Sequence, residues 1–208
     1  MNRFLCALAL GVAAASANAA TISIDPSSQS TVVGSTVSAT VRIADITSGT
    51  APSLGGYDLN LSFDSAVLSF SALTYGSGLD VLGLGSIRVS DTGSAGLLNV
   101  VEISLDEESD LNALQADAFA LFTVTFQAIA AGTSGLTLHV NSLADAAGLA
   151  FNAATANGSI GVAPVPLPAA AWLLFSGLAG LAGISRRRSR DVNDLAGDLA
   201  GDLAGARA

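Results

Sequence analysis

Few side chains in this 208-residue chain could do chemistry, and most of them are carboxylates. The densest run is Asp106-Glu107-Glu108-Ser109-Asp110. The run reads first as a solvated loop that keeps an apolar domain soluble; its hard oxygen donors make Ca2+ outside a cell the lesser alternative. A carboxylate pair can also cleave glycosides, one acting as acid and the other as base or nucleophile, but the spacing selects no such pair. His139 is the only histidine; in Leu136-Thr137-Leu138-His139-Val140 it falls on the face opposite the leucines, a solvated position. Without a second histidine or a cysteine beside it, it makes no zinc site. No Gly-x-Ser-x-Gly elbow occurs with a downstream histidine partner, so a serine hydrolase triad has no support. Tyr57 falls on an inward face, which leaves Tyr75, within the Gly-rich stretch Thr74 to Gly78, as the one aromatic residue placed to touch a glycan. Apart from the Ca2+ candidate, no cofactor is expected.

Charge narrows the partners further. Between Ala20 and Ala163, thirteen acidic residues face only Arg42 and Arg88, and there is no lysine anywhere. Such a surface repels nucleic acid and other polyanions. Half of the chain is hydrophobic and 12% is charged, which excludes disorder and supplies a core for one domain.

Both ends are specialised. Arg3, the apolar stretch Phe4 to Ala15 and the small-x-small triplet Ala17-Asn18-Ala19 form a secretory leader over residues 1–19, cut before Ala20. Cys6, the only cysteine, leaves with it, so disulfides, thiolate metal sites and cysteine nucleophiles are excluded from the mature part. At the other end, Pro164-Val165-Pro166-Leu167-Pro168 precedes an apolar run to Ile184 and then Arg186, Arg187, Arg188 and Arg190. The run from Leu167 to Ile184 spans roughly 27 Å as a helix, close to a hydrocarbon core. The arginines mark the cytoplasmic end, which puts the domain ahead of the span in the periplasm. Residues 191–208 carry a repeated Asp-Leu-Ala-Gly unit and read as a disordered tail.

The elements between these ends have a period of two. Ile22 and Ile24; Val37, Ala39, Val41 and Ile43; Tyr57, Leu59, Leu61 and Phe63; Leu68, Phe70 and Ala72; Ala120, Phe122, Val124, Phe126 and Ala128; and Leu136, Leu138 and Val140 each alternate with polar or small residues. These patterns predict half-buried strands. Leu97 to Leu105 is apolar on both faces in its first half and predicts a central strand covered on each side. Turn formers stand at 25–28, 48–52, 76–78, 91–94, 132–135 and 157–158. One short helical turn is predicted over Ser109 to Ala116. The fold class is therefore all-β, an antiparallel β-sandwich or jelly roll, followed by one C-terminal transmembrane helix.

Several of these segments together resemble the cohesin-type domain: Ser23-Ile24-Asp25-Pro26, Val33 to Val37, Gly56-Tyr57-Asp58-Leu59-Asn60-Leu61-Ser62-Phe63-Asp64, Val67 to Phe70, Phe122 to Phe126 and Ala131 to Ser134. The resemblance covers about Ile22 to Val162. It implies a jelly-roll sandwich related to carbohydrate-binding modules, whose business is recognition and not catalysis. Val165-Pro166-Leu167-Pro168, with Ala169 to Leu174 and the closing arginines, resembles the VPLPA variant of the PEP-CTERM sorting signal. That resemblance implies processing by an exosortase, a membrane protease of Gram-negative bacteria.

The expected organisation is a signal peptide (1–19), a cohesin-like domain (20–163), a sorting signal with helix and arginines (164–190) and a tail (191–208). The expected protein is a non-enzymatic surface or matrix protein, exported through the inner membrane, anchored there before processing and then placed at the cell surface or outside. Its ligand is a protein or, as the alternative, an exopolysaccharide contacted through Tyr75; a glycan hydrolase ranks below both.

Overall fold

A computed structural model describes residues 20–46 and 53–166, together with Leu173, Ser176 and Gly177. The chain packs as two units, Met1–Pro164 and Val165–Ala208. In the second unit, Val165 and Pro166 have no regular structure, and Leu173, Ser176 and Gly177 are helical. The leader with Ala17 and Ala19, the turn at 48–52, Leu167 and Pro168, the arginine cluster and the tail lie outside the described residues. So does the expected membrane span, apart from those three helical positions. Among the described residues, no helix is long and apolar enough to cross a membrane.

The first unit contains β1 (Ala20–Asp25), β2 (Ser28–Val32), β3 (Thr36–Ala44), β4 (Leu54–Ser62), β5 (Leu68–Tyr75), β6 (Ser86–Ser94), β7 (Leu97–Ser104), α1 (Glu108–Leu114), β8 (Phe119–Ala128), β9 (Gly132–Asp145), β10 (Ala153–Ala156) and β11 (Gly158–Ala163). A five-stranded sheet in the order β10-β1-β3-β8-β5 faces a six-stranded sheet in the order β2-β11-β9-β4-β7-β6. Alternating side chains of both sheets meet in one core, in which Ile22, Ile43, Leu59, Leu61, Leu68, Leu98, Phe122 and Phe126 are fully buried. This is the all-β sandwich that period-two patterning calls for.

The pairing is not wholly antiparallel. β1 runs parallel to β10, and β2 runs parallel to β11. The first and last stretches of the domain thus lie side by side, and each crosses from the five-stranded to the six-stranded sheet partway along. The crossing is tight: a Cβ on Gly158 would stand 3.0 Å from Ile24 Cγ2 and 3.1 Å from the Ser27 carbonyl oxygen. The Ser159 N–H is bonded to that same carbonyl at 2.9 Å.

Four local expectations are corrected. The 91–94 stretch is the end of β6, and the hairpin turns at Ala95-Gly96, where only glycine accommodates φ +78° and where a Cβ would meet the Phe63 carbonyl oxygen at 2.5 Å. Residues 132–135 open β9, and the turn before it is Ile129 to Ala131. In β5 a bulge between Phe70 and Ala72 resets the alternation, so Leu73 and Tyr75 pack inward while Ala72 is exposed. β7 lies between β4 and β6, but its outer face carries the half-buried Leu97, Asn99 and Val101 and the exposed Ile103, so it is not covered on both sides.

Candidate functional site

The outer face of the β9-β4-β7-β6 portion of the six-stranded sheet carries two adjoining kinds of surface. Register places Ile87 opposite Ile103 and Val89 opposite Val101. Ile87, Val89 and Ile103 are 50%, 54% and 47% exposed. Cross-strand apolar pairs of this sort normally face a core; a contiguous exposed strip marks an interaction site.

Beside this strip the same face turns polar. Asn99 Nδ2 donates to Asp58 Oδ1 at 2.6 Å and to Asn60 Oδ1 at 2.9 Å. Asn141 Nδ2 donates to the same Asp58 oxygen at 2.8 Å, and Asn60 Nδ2 donates to Asn141 Oδ1 at 3.3 Å. Four side chains on three neighbouring strands are thereby held in fixed rotamers before any ligand arrives, which lowers the ordering cost of binding. His139, opposite Asn60 in the ladder, is exposed, as expected from its parity.

Beneath the apolar strip lies a buried polar cluster that holds β6 in place. Glu102 is 1% exposed. Its Oε1 accepts from Ser86 Oγ at 2.6 Å and from Arg88 Nε at 2.9 Å, and its Oε2 accepts from Tyr57 Oη at 3.0 Å. Arg88 also donates to the Gly76 carbonyl at 3.3 Å, and its guanidinium lies 5.2 Å from the centre of the Tyr75 ring. Burial, reinforced by the adjacent Glu102 carboxylate, pushes the Tyr57 hydroxyl far above the usual phenol range, so it stays a donor. The hydrogen bond to Glu102 pushes the Arg88 guanidinium up as well. The cluster is structural: three donors satisfy one inward carboxylate.

Tyr75, the expected glycan contact, is half-buried. Its hydroxyl donates to the Val89 carbonyl at 2.9 Å, so it ties the edge strand of one sheet to the edge strand of the other, with Arg88 over its ring. Burial raises its hydroxyl too. The acidic run does not converge as a group. Asp106 is turned inward, Glu107 precedes α1 as an exposed residue, Glu108 is exposed and Asp110 is half-buried in the first turn. Among the described residues, no three His, Cys, Asp or Glu side chains are grouped to hold a metal. Of the sorting and cleavage residues, Ala20 opens β1 and Val165 and Pro166 follow β11 in irregular chain.

Sequence reasoning missed both Glu102 and the exposed strip. Parity held a signal for the first, since Leu98, Val100 and Glu102 alternate inward together. For the second, only the pairing of β6 with β7 brings the four apolar residues side by side.

The two-sheet all-β sandwich is the fold of cohesin domains, a class of protein-recognition module. The chain belongs to the cohesin-domain family, whose model matches residues 20–162. It is similar to a non-cellulosomal cohesin from the hyperthermophilic archaeon Archaeoglobus fulgidus, at 22% identity over 70% of this chain and 91% of that one, with a TM-score of 0.53. The seventh ScaB type I cohesin from Pseudobacteroides cellulosolvens is similar at 18% identity over 72% and 96%, with a TM-score of 0.57. A Clostridium thermocellum cohesin solved in a type I cohesin–dockerin complex matches at 13% identity over 70% and 100%, with a TM-score of 0.57. Comparison with curated proteins finds no match.

Proposed function

We propose that this protein is an exported, non-enzymatic recognition module that binds a dockerin-type protein partner through the outer face of β9-β4-β7-β6. The observation that carries this reading is the apolar strip of Ile87, Val89, Val101 and Ile103 set against the bonded quartet Asp58, Asn60, Asn99 and Asn141. The strip offers area to desolvate, and the quartet offers aligned donors and acceptors that fix orientation. Family membership and the solved cohesin–dockerin relative support the choice of partner. The exopolysaccharide alternative is less favoured, because Tyr75 spends its hydroxyl on Val89 and one face of its ring on Arg88.

Titration calorimetry against a panel of purified dockerin domains tests the proposal. Ile87→Asp combined with Ile103→Asp is expected to weaken binding at least 100-fold while shifting the melting temperature by only a few degrees, since both positions are exposed. Undiminished binding by the double variant would move the site off this face.

Export and sorting complete the proposal. Ala17, Ala19 and Ala20 supply the leader cleavage site, Val165 to Pro168 the exosortase motif, and Arg186, Arg187, Arg188 and Arg190 the cytoplasmic stop. The domain is then membrane-anchored until processing and afterwards resides at the cell surface or outside it. Intact mass of the extracellular protein is expected to show a chain that begins at Ala20 and lacks 186–208. Recovery of those residues on the exported form would refute the processing step.

A further inference from the structure

We infer that the loop from Gly76 to Gly85 and the Asp106 carboxylate form a divalent-cation site, with Ca2+ the ion of choice. Asp106 is only 9% exposed, yet its Oδ1 has no hydrogen-bond partner. Its Oδ2 accepts from the Val81 N–H at 2.7 Å, which fixes the carboxylate against the peptide that joins Asp80 to Val81. Asp80 itself commits Oδ1 to the Gly85 N–H at 2.8 Å, so both carboxylates are pinned to the same loop by one oxygen each. Ser104 Oγ lies at the Asp106 backbone, where it accepts the N–H at 3.1 Å.

Buried polar atoms are almost always satisfied, and a buried carboxylate is normally paired with a cation or bound to a metal. Arg88 is paired with Glu102, and Asp106 Oδ1 has no partner among the described residues. A hard cation on Oδ1 supplies what the protein does not. Asp80 and water complete an all-oxygen shell of the kind Ca2+ accepts in irregular geometry. Mg2+ demands near-ideal octahedral placement and fits a loop site less well. Glu107, Glu108 and Asp110 have no part in it; they lie in and before α1. The site is distinct from the sheet face, so its failure leaves the partner-binding proposal untouched.

Thermal melts of the full chain with EDTA, CaCl2 or MgCl2 are the test, together with equilibrium dialysis of Ca2+. The wild-type chain is expected to bind one Ca2+ and to melt about 3–6 °C higher once the ion is about tenfold above its Kd. Asp106→Asn retains an oxygen for the Val81 N–H and removes the charge, and it should abolish the rise. Asp80→Asn, which keeps an acceptor for Gly85, should weaken Ca2+ binding at least tenfold and serves if Asp106→Asn folds poorly. No Ca2+ bound by the wild-type chain at about 10 mM, well above the Kd range of extracellular sites, would overturn the inference. An equal rise in wild type and Asp106→Asn would do the same, as would an equal response to Mg2+.

Discussion

Replacing Arg88 with methionine is expected to destabilise the domain by about 2–4 kcal/mol, measured as a lower midpoint in urea. Glu102 is 1% exposed, and Arg88 is the one cation bonded to it. Removing a single partner from a buried ion pair costs about 3–5 kcal/mol, because the other charge is left uncompensated. The Arg88 side chain is 38% exposed, so water already screens part of the attraction and the lower range applies. The double variant Arg88→Met with Glu102→Gln should recover most of the loss. Glutamine keeps an acceptor within reach of Tyr57 Oη or Ser86 Oγ but carries no charge to strand. If the double variant were as unstable as Arg88→Met alone, the cost would lie in lost packing on Tyr75 and not in the charge.

Truncating Phe126 to alanine is the larger perturbation, about 3–5 kcal/mol by the usual cost of removing a buried ring. Phe126 is fully buried in β8, a central strand of its sheet, and its ring centre lies 4.9 Å from that of Phe63 at a tilt of 57°. Val37 and Phe70 flank it across the two neighbouring strands. Because ladders hold its backbone on both sides, the site collapses little and the cavity persists. Urea unfolding should show the loss in the midpoint with an unchanged slope. A cost below about 1 kcal/mol would show that the two sheets close over the gap.

The strands that alternate cleanly in sequence are those whose inner face meets the opposite sheet along their whole length. Ile22 and Ile24, Val37 to Ile43, Tyr57 to Leu61 and Phe122 to Ala128 are legible for that reason. β6 is not, since it is the sixth strand of one sheet facing a sheet of five. Its inward parity therefore holds Ser86, Arg88 and Ser90 instead of apolar residues. Bulges hide in the same way: Ala72 fits the alternation from Leu68 and Phe70 until an extra residue shifts the register. The candidate site was the least legible part. Ile87 and Ile103 are sixteen residues apart in sequence, and each alone is an ordinary strand residue. Asp106 stood out only as one acid among several, because nothing periodic in a loop says which carboxylate turns inward.

The parallel lay of the first and last strands has a mechanical consequence. β11, the last strand, is flanked by Ser28–Val32 on one side and Gly132–Leu136 on the other. A pull applied at Ala163 along β11 would load both ladders lengthwise, so their hydrogen bonds would shear together instead of peeling one by one.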